Sequence, residues 1–175
     1  FELIVVGLDH GGIKRMKEYS PWDNMRFGKG EGKLFAEFLV NELKPMIDST
    51  YRTFTEPGYT GILGSSMGGL ISHYVLFEYP NVFGRAGIFS PSYWISNEVY
   101  SHTKEKDHKK SLNILILIEG KELMSQVRNV MKMKDILHEA GYTDKQLKVI
   151  HDRNGKHNEA FWTAYFAEAI QFLFK

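Results

Sequence analysis

The run Ile114-Leu115-Ile116-Leu117-Ile118 is continuously apolar rather than alternating, and it is the longest such run in the chain. It has the length of a strand and falls far short of the roughly 20 residues that a membrane span needs. A strand with no polar position is buried on both faces, which is the condition of a parallel sheet covered by helices on each side.

The rest of the chain reads in the same way. Leu3–Leu8, Thr60–Leu63, Arg85–Phe89, Leu112–Ile118 and Leu147–His151 read as strands closed by Gly, Pro or polar turns. Between them, Lys33–Ile47 has helical spacing, with Pro45 predicting a bend or an end. Gly68–Glu78 reads as a helix stopped at Tyr79-Pro80. Ser125–Ala140 is amphipathic before Gly141, and Asn158–Phe174 closes the chain as a helix. Lys14–Gly32 and the mixed-charge run Lys104–Lys110 read as loops. Alternating strand and helix predicts one α/β domain over residues 1–175, a three-layer α/β/α sandwich around a parallel sheet.

Composition narrows the functional classes. Lys+Arg 22 against Asp+Glu 21 gives a net charge of +1, so the chain carries no electrostatic footprint for nucleic acid or an acidic membrane. Cysteine is absent, which excludes disulfides, thiolate metal sites and a cysteine nucleophile, and leaves the compartment open. No H-E-x-x-H or related ligand spacing occurs, so neither a metal nor another cofactor is expected. The chain opens at Phe1 inside an apolar run, and the expectation is that it forms the C-terminal part of a longer protein.

The strongest chemical signal is Gly64-Ser65-Ser66-Met67-Gly68-Gly69, a G-x-S-x-G pattern between a strand and a helix. A very tight strand-to-helix turn holds such a serine in a strained conformation with its hydroxyl exposed above the sheet. The helix N-terminus beneath it favours negative charge, and the N–H of Met67 is the expected oxyanion donor. Without a following Gly-Lys-Ser/Thr the motif is not a Walker loop.

A serine nucleophile needs a base. His157, in the loop after the last strand, stands where this architecture places it. His151 at the strand end is its rival, and His10 follows the first strand. The orienting acid belongs after the strand Leu112–Ile118, where Glu119 continues the strand and Glu122 lies past a glycine turn. The three pieces fall in the order Ser, acid, His, each at the C-terminal end of a strand, the edge where open α/β sheets build their sites.

Several stretches resemble the esterase D-like esterases of the α/β-hydrolase superfamily, which include siderophore, feruloyl and acetyl-sugar esterases and mycolyltransferases. They are Val5–Asp9 with Arg15 and Glu18–Trp22, Glu42–Pro45 with Tyr51–Thr53, and the elbow Gly64–Gly69. Tyr79-Pro80 with Phe83, Phe89-Ser90-Pro91, Gly120-Lys121-Glu122, and His157-Asn158-Glu159 with Trp162 complete the set. The resemblance implies an α/β-hydrolase fold that lacks its N-terminal strands in this chain. It implies Ser66 as nucleophile, His157 as base and Glu122, rather than Glu119, as acid. It also implies a further strand between Leu3–Leu8 and the strand leading to the elbow, and a second oxyanion donor, both from a missing N-terminal segment of the same protein. Without that strand, two central strands would leave buried backbone groups unpaired, at about 1–3 kcal/mol each.

The expected reaction is hydrolysis of a small-molecule or sugar-linked carboxylic ester through an acyl-enzyme. Arg15, Tyr93 and Trp94 fall in loops suited to substrate binding, as does Trp22. Two alternatives stand beside it: acyl transfer to a sugar or other alcohol, and a non-catalytic binding domain on the same scaffold.

Overall fold

A computed structural model of the chain describes residues 2–106, 111–120 and 124–175. Within them one parallel sheet runs β1 (Gly61–Ser65), β2 (Arg85–Phe89), β3 (Asn113–Glu119), β4 (Leu147–Asp152), in that spatial order. The helices are α1 (Arg15–Glu18), α2 (Gly32–Phe38), α3 (Lys44–Thr50), α4 (Met67–Glu78), α5 (Glu98–Glu105), α6 (Met124–Glu139) and α7 (Glu159–Phe174).

The unbroken apolar character of β3 has the predicted consequence. Ile114, Ile116 and Ile118 pack into one core with residues of α4, α5 and α6, while Leu115 and Leu117 pack into a second with Ala169 and Leu173 of α7. Alternate residues of a strand face opposite sides, so both faces of β3 are covered and the three layers follow. Helix α4 is buried along nearly its whole length, from Met67 to Phe77. Its outer side lies under the N-terminal third of the chain, where Trp22 meets Tyr74 edge-to-face at 5.7 Å.

Four sequence expectations change. Leu3–Leu8 forms no strand and is exposed, Val5 by 71%. A β-branched run becomes a strand only where another strand's edge meets it, and the described sheet ends at β1, which pairs on one side with β2. The helix carrying Pro45 does not stop there. It widens into a π-helical turn over Leu39–Leu43 and continues as α3, which accommodates a residue that lacks an N–H and crowds the carbonyl of Asn41. The supposed loop Lys14–Gly32 contains α1 and buries Tyr19, Ser20 and Trp22. Finally, α5 takes up Lys104 and Glu105 from the mixed-charge run, whose residues 107–110 lie outside the described residues.

Candidate active site

Ser66 stands between β1 and α4 with φ 58° and ψ −117°. For a residue with a Cβ this is strained backbone, worth about 1–3 kcal/mol. Hydrogen bonds hold it from both sides: its N–H donates to the Phe89 carbonyl (2.9 Å), and its carbonyl accepts from Ser92 N–H (3.1 Å). The glycines do unequal work. A Cβ on Gly64 would lie 2.5 Å from the Gly68 carbonyl carbon and closer still to its oxygen, so strand and helix meet only because Gly64 lacks one. A Cβ on Gly69 would press on the Phe89 carbonyl at 2.9 Å, whereas one on Gly68 meets nothing within 4 Å. Met67 is the first residue of α4, where a backbone N–H has no intrahelical acceptor.

His157 lies in the loop between β4 and α7. The next residue, Asn158, caps α7 by accepting the Phe161 N–H (3.0 Å). The His157 Nδ1 is 2.6 Å from Oε1 of Glu119, the last residue of β3, which is only 4% exposed. Burial pushes the Glu119 carboxyl up. Hydrogen bonds from His157, from Ser90 and within its own backbone outweigh it, and the carboxyl ends below its ordinary value. An ionised carboxylate only accepts, so Nδ1 carries the proton and the imidazole lone pair is left on Nε2.

Ser66 and His157 line one cleft of about 280 Å³ together with Ser92, Trp94, Ser125 and Gln126. Ser92 Oγ is 3.3 Å from Ser66 Oγ. The structure therefore brings Ser66, His157 and Trp94 together in one cleft.

Other expected site residues fall elsewhere. Glu122, the expected acid, lies outside the described residues, and the carboxylate found on His157 is that of Glu119. Tyr93 does not face the cleft. It is a core residue, 1% exposed, hydrogen-bonded through its hydroxyl to His73 Nδ1 at 2.8 Å. Arg15 is also absent from the cleft lining and sits over the Tyr19 ring at 5.8 Å, while Glu18 accepts the Gly11 N–H. Trp22 is buried against the outer side of α4. His10 is exposed and accepts the Gly12 N–H, and His151 lies beside Gly120. No three histidine, aspartate or glutamate side chains group to hold a metal ion among the described residues. Nor is any described helix long and apolar enough to cross a membrane.

Sequence reasoning missed Ser90, Ser92, Ser125 and Gln126. For the first two a signal was present: Ser90-Pro91-Ser92 directly follows β2, at the same C-terminal edge as Ser66 and Glu119.

The family described as "Putative esterase" matches residues 1–173. An uncharacterized Bacillus subtilis protein, YbbA, is 29% identical over 191 residues, covering 99% of this chain and 74% of the relative. Among solved structures, the IroE-like serine hydrolase of Shewanella oneidensis superposes with a TM-score of 0.75 at 20% identity, over 92% of this chain and 57% of that one. Enterochelin esterase of Shigella flexneri superposes with a TM-score of 0.71 at 21% identity, over 81% of this chain. This chain spans 37% of that enzyme's length. The shared fold is that of the α/β-hydrolases.

Proposed function

The chain belongs to this esterase family, and we propose that it hydrolyses a carboxylic ester through an acyl-enzyme formed on Ser66. The observation that carries the proposal is the meeting in one cleft of a serine strained at a helix N-terminus and a histidine whose Nδ1 is held by a buried carboxylate.

On this reading Glu119 is the orienting acid and keeps His157 in the tautomer with its lone pair on Nε2. Nε2 takes the proton of Ser66 Oγ as that oxygen attacks the ester carbonyl carbon. The oxyanion receives the Met67 N–H, in the positive field of the α4 N-terminus. The imidazolium, stabilised by the Glu119 carboxylate, passes its proton to the departing alkoxide, and the alcohol leaves. Water then enters and gives a proton to Nε2, and its oxygen attacks the acyl carbon. Ser66 Oγ departs with that proton, and the free acid is released. The likeness to an enterochelin esterase and an IroE-like serine hydrolase, together with a cleft that sets Ser92, Ser125 and Gln126 beside the Trp94 ring, supports a carboxylic ester as the substrate class.

The test is hydrolysis of p-nitrophenyl acetate and butyrate by the chain beside Ser66→Ala and His157→Ala. Activity that collapses in both variants, with a mass shift of one acyl group trapped on Ser66, supports the proposal. Activity that survives Ser66→Ala refutes it.

A further inference from the structure

Ser90 is wholly buried, follows β2 directly and has φ 44°, a second serine in the left-handed region. Its hydroxyl donates to Glu119 Oε2 and accepts the indole Nε1–H of Trp162 at 2.8 Å. The other carboxylate oxygen, Oε1, takes His157 Nδ1–H. The circuit closes through the Trp162 ring, which stands edge-on to the imidazole at 5.0 Å and 85°. Four side chains from two loops, the end of a strand and a helix are thus bonded in sequence: Trp162 to Ser90, Ser90 to Glu119, Glu119 to His157, with His157 against Trp162.

We propose that Ser90 and Trp162 are positioning residues for the hydrolysis proposed above, acting through Glu119 to hold His157 in its working orientation. A carboxylate held by one hydrogen bond is free to turn about its last torsion, and a buried one has no water to take up its second oxygen. The Ser90 hydroxyl fixes that oxygen, which fixes the plane in which Oε1 meets Nδ1. The Trp162 N–H fixes the hydroxyl in turn, because a serine that accepts from the indole has its own proton directed to the carboxylate. The backbone supports the same reading. At φ 44° glycine is the unstrained residue, so a serine there keeps a hydroxyl at the expense of strain.

The experiment compares Ser90→Gly, Ser90→Ala, Trp162→Phe and the double variant Ser90→Gly/Trp162→Phe in the full chain. Two readouts are used: steady-state kinetics on a p-nitrophenyl ester, and the low-field proton resonance of His157 Nδ1–H, identified by its loss in His157→Ala. Glycine relieves the strained backbone while deleting the whole CH2OH group, alanine deletes the hydroxyl alone, and phenylalanine keeps a ring edge against His157 while deleting the N–H. The expected result is a fall in kcat of about tenfold in Ser90→Gly and Ser90→Ala with KM changed by less than about twofold, and an upfield move of the resonance. Trp162→Phe changes both in the same direction, and the double variant loses no more than Ser90→Gly alone, because the indole acts through the serine. Ser90→Gly with the parent kcat and the parent resonance overturns the proposal, as do losses that multiply in the double variant. Should Ser66→Ala leave turnover intact, it is the esterase reading that fails. The resonance needs no turnover and still decides the positioning roles, and Ser90→Ala and Trp162→Phe carry the test if Ser90→Gly does not fold.

Discussion

Gly64→Ala and Gly68→Ala add the same methyl group to the same motif, and the structure expects them to move stability in opposite directions. At Gly64 the new Cβ would stand 2.5 Å from the Gly68 carbonyl carbon and 3.0 Å from its Cα. Carbon atoms settle at about 3.5–4.0 Å, so β1 and α4 must separate by about 1 Å. The obstacle is backbone on both sides, and no side chain can swing away. Overpacking of this kind costs about 1–3 kcal/mol, and here it also disturbs the peptide that holds Ser66. At Gly68 a Cβ meets nothing within 4 Å, and the residue is the second of α4. Alanine there gains about 0.5–1 kcal/mol, because glycine loses more freedom on entering a helix. In a domain of this size 1 kcal/mol moves Tm by about 2–4 °C. Urea denaturation and thermal melts of the two variants beside the parent read both effects. Gly64→Ala at parent stability, or Gly68→Ala lower by more than about 1 kcal/mol, would refute the assignment of the close approach to Gly64.

Glu119→Gln presents an amide where two donors now converge, so one of Ser90 or His157 faces an NH₂ group; kcat is expected to fall by about 10³–10⁴ in ester hydrolysis assays, with native circular dichroism. His73 is pushed down to about 3 by burial, with His102 adding to the effect. Below its unfolded value near 6.5 the unfolded chain binds a proton that the native chain does not, so stability is expected to fall as pH drops from about 6.5 toward 3. Glu119, held low, adds to this loss below its ordinary carboxyl range. Denaturation midpoints measured across pH 4–8 give the slope, and His73→Gln should flatten its upper part. Tyr93→Phe removes the partner of His73 Nδ1 in a buried site, for an expected loss of about 1–3 kcal/mol in urea denaturation. Asn158→Ala deletes the cap of α7 and should cost about 1 kcal/mol by the same measurement.

What the chain reveals before folding is the content of its strands and the order of its chemistry. Arg85–Phe89 agrees residue for residue with β2, and Leu112–Ile118 is within one residue of β3, because an apolar run bounded by turns has few other homes. Leu3–Leu8 has the same local character and no strand, since hydrophobicity records what a segment does once paired and says nothing of the partner. Helix α5 was hidden for the opposite reason: its mean hydropathy is low, and only Val99, Tyr100 and Thr103 are buried. Ser66 and His157 were legible from motif and loop position. Spacing left the acid open between Glu119 and Glu122, and the hydrogen bond to His157 belongs to Glu119 among the described residues. The roles of Ser90 and Trp162 were out of reach, because they depend on contacts spanning 29 and 72 residues.

The segment Ser90–Trp94 explains how two strained serines are held at once. Its residues go to different places: Ser90 to the carboxylate of Glu119, Ser92 to the peptide and hydroxyl of Ser66, Tyr93 to the core and Trp94 to the cleft wall. Tyr93 is the anchor. Thr103 donates its hydroxyl proton to the Val99 carbonyl at 2.7 Å, so it must accept from His73 Nε2, which leaves Nδ1 to receive the Tyr93 hydroxyl. His73 lies on α4, two turns beyond Ser66, and Thr103 on α5. The loop is therefore pinned to the same helix twice, at its N-terminus through the Ser66 peptide and along its length through His73. A loop pinned at both points cannot relax the φ of Ser66 or Ser90 without breaking buried hydrogen bonds, whose loss costs about as much as the strain it would release. The loop that supports both the candidate nucleophile and the candidate acid thus has a buried anchor, the hydrogen bond between Tyr93 and His73.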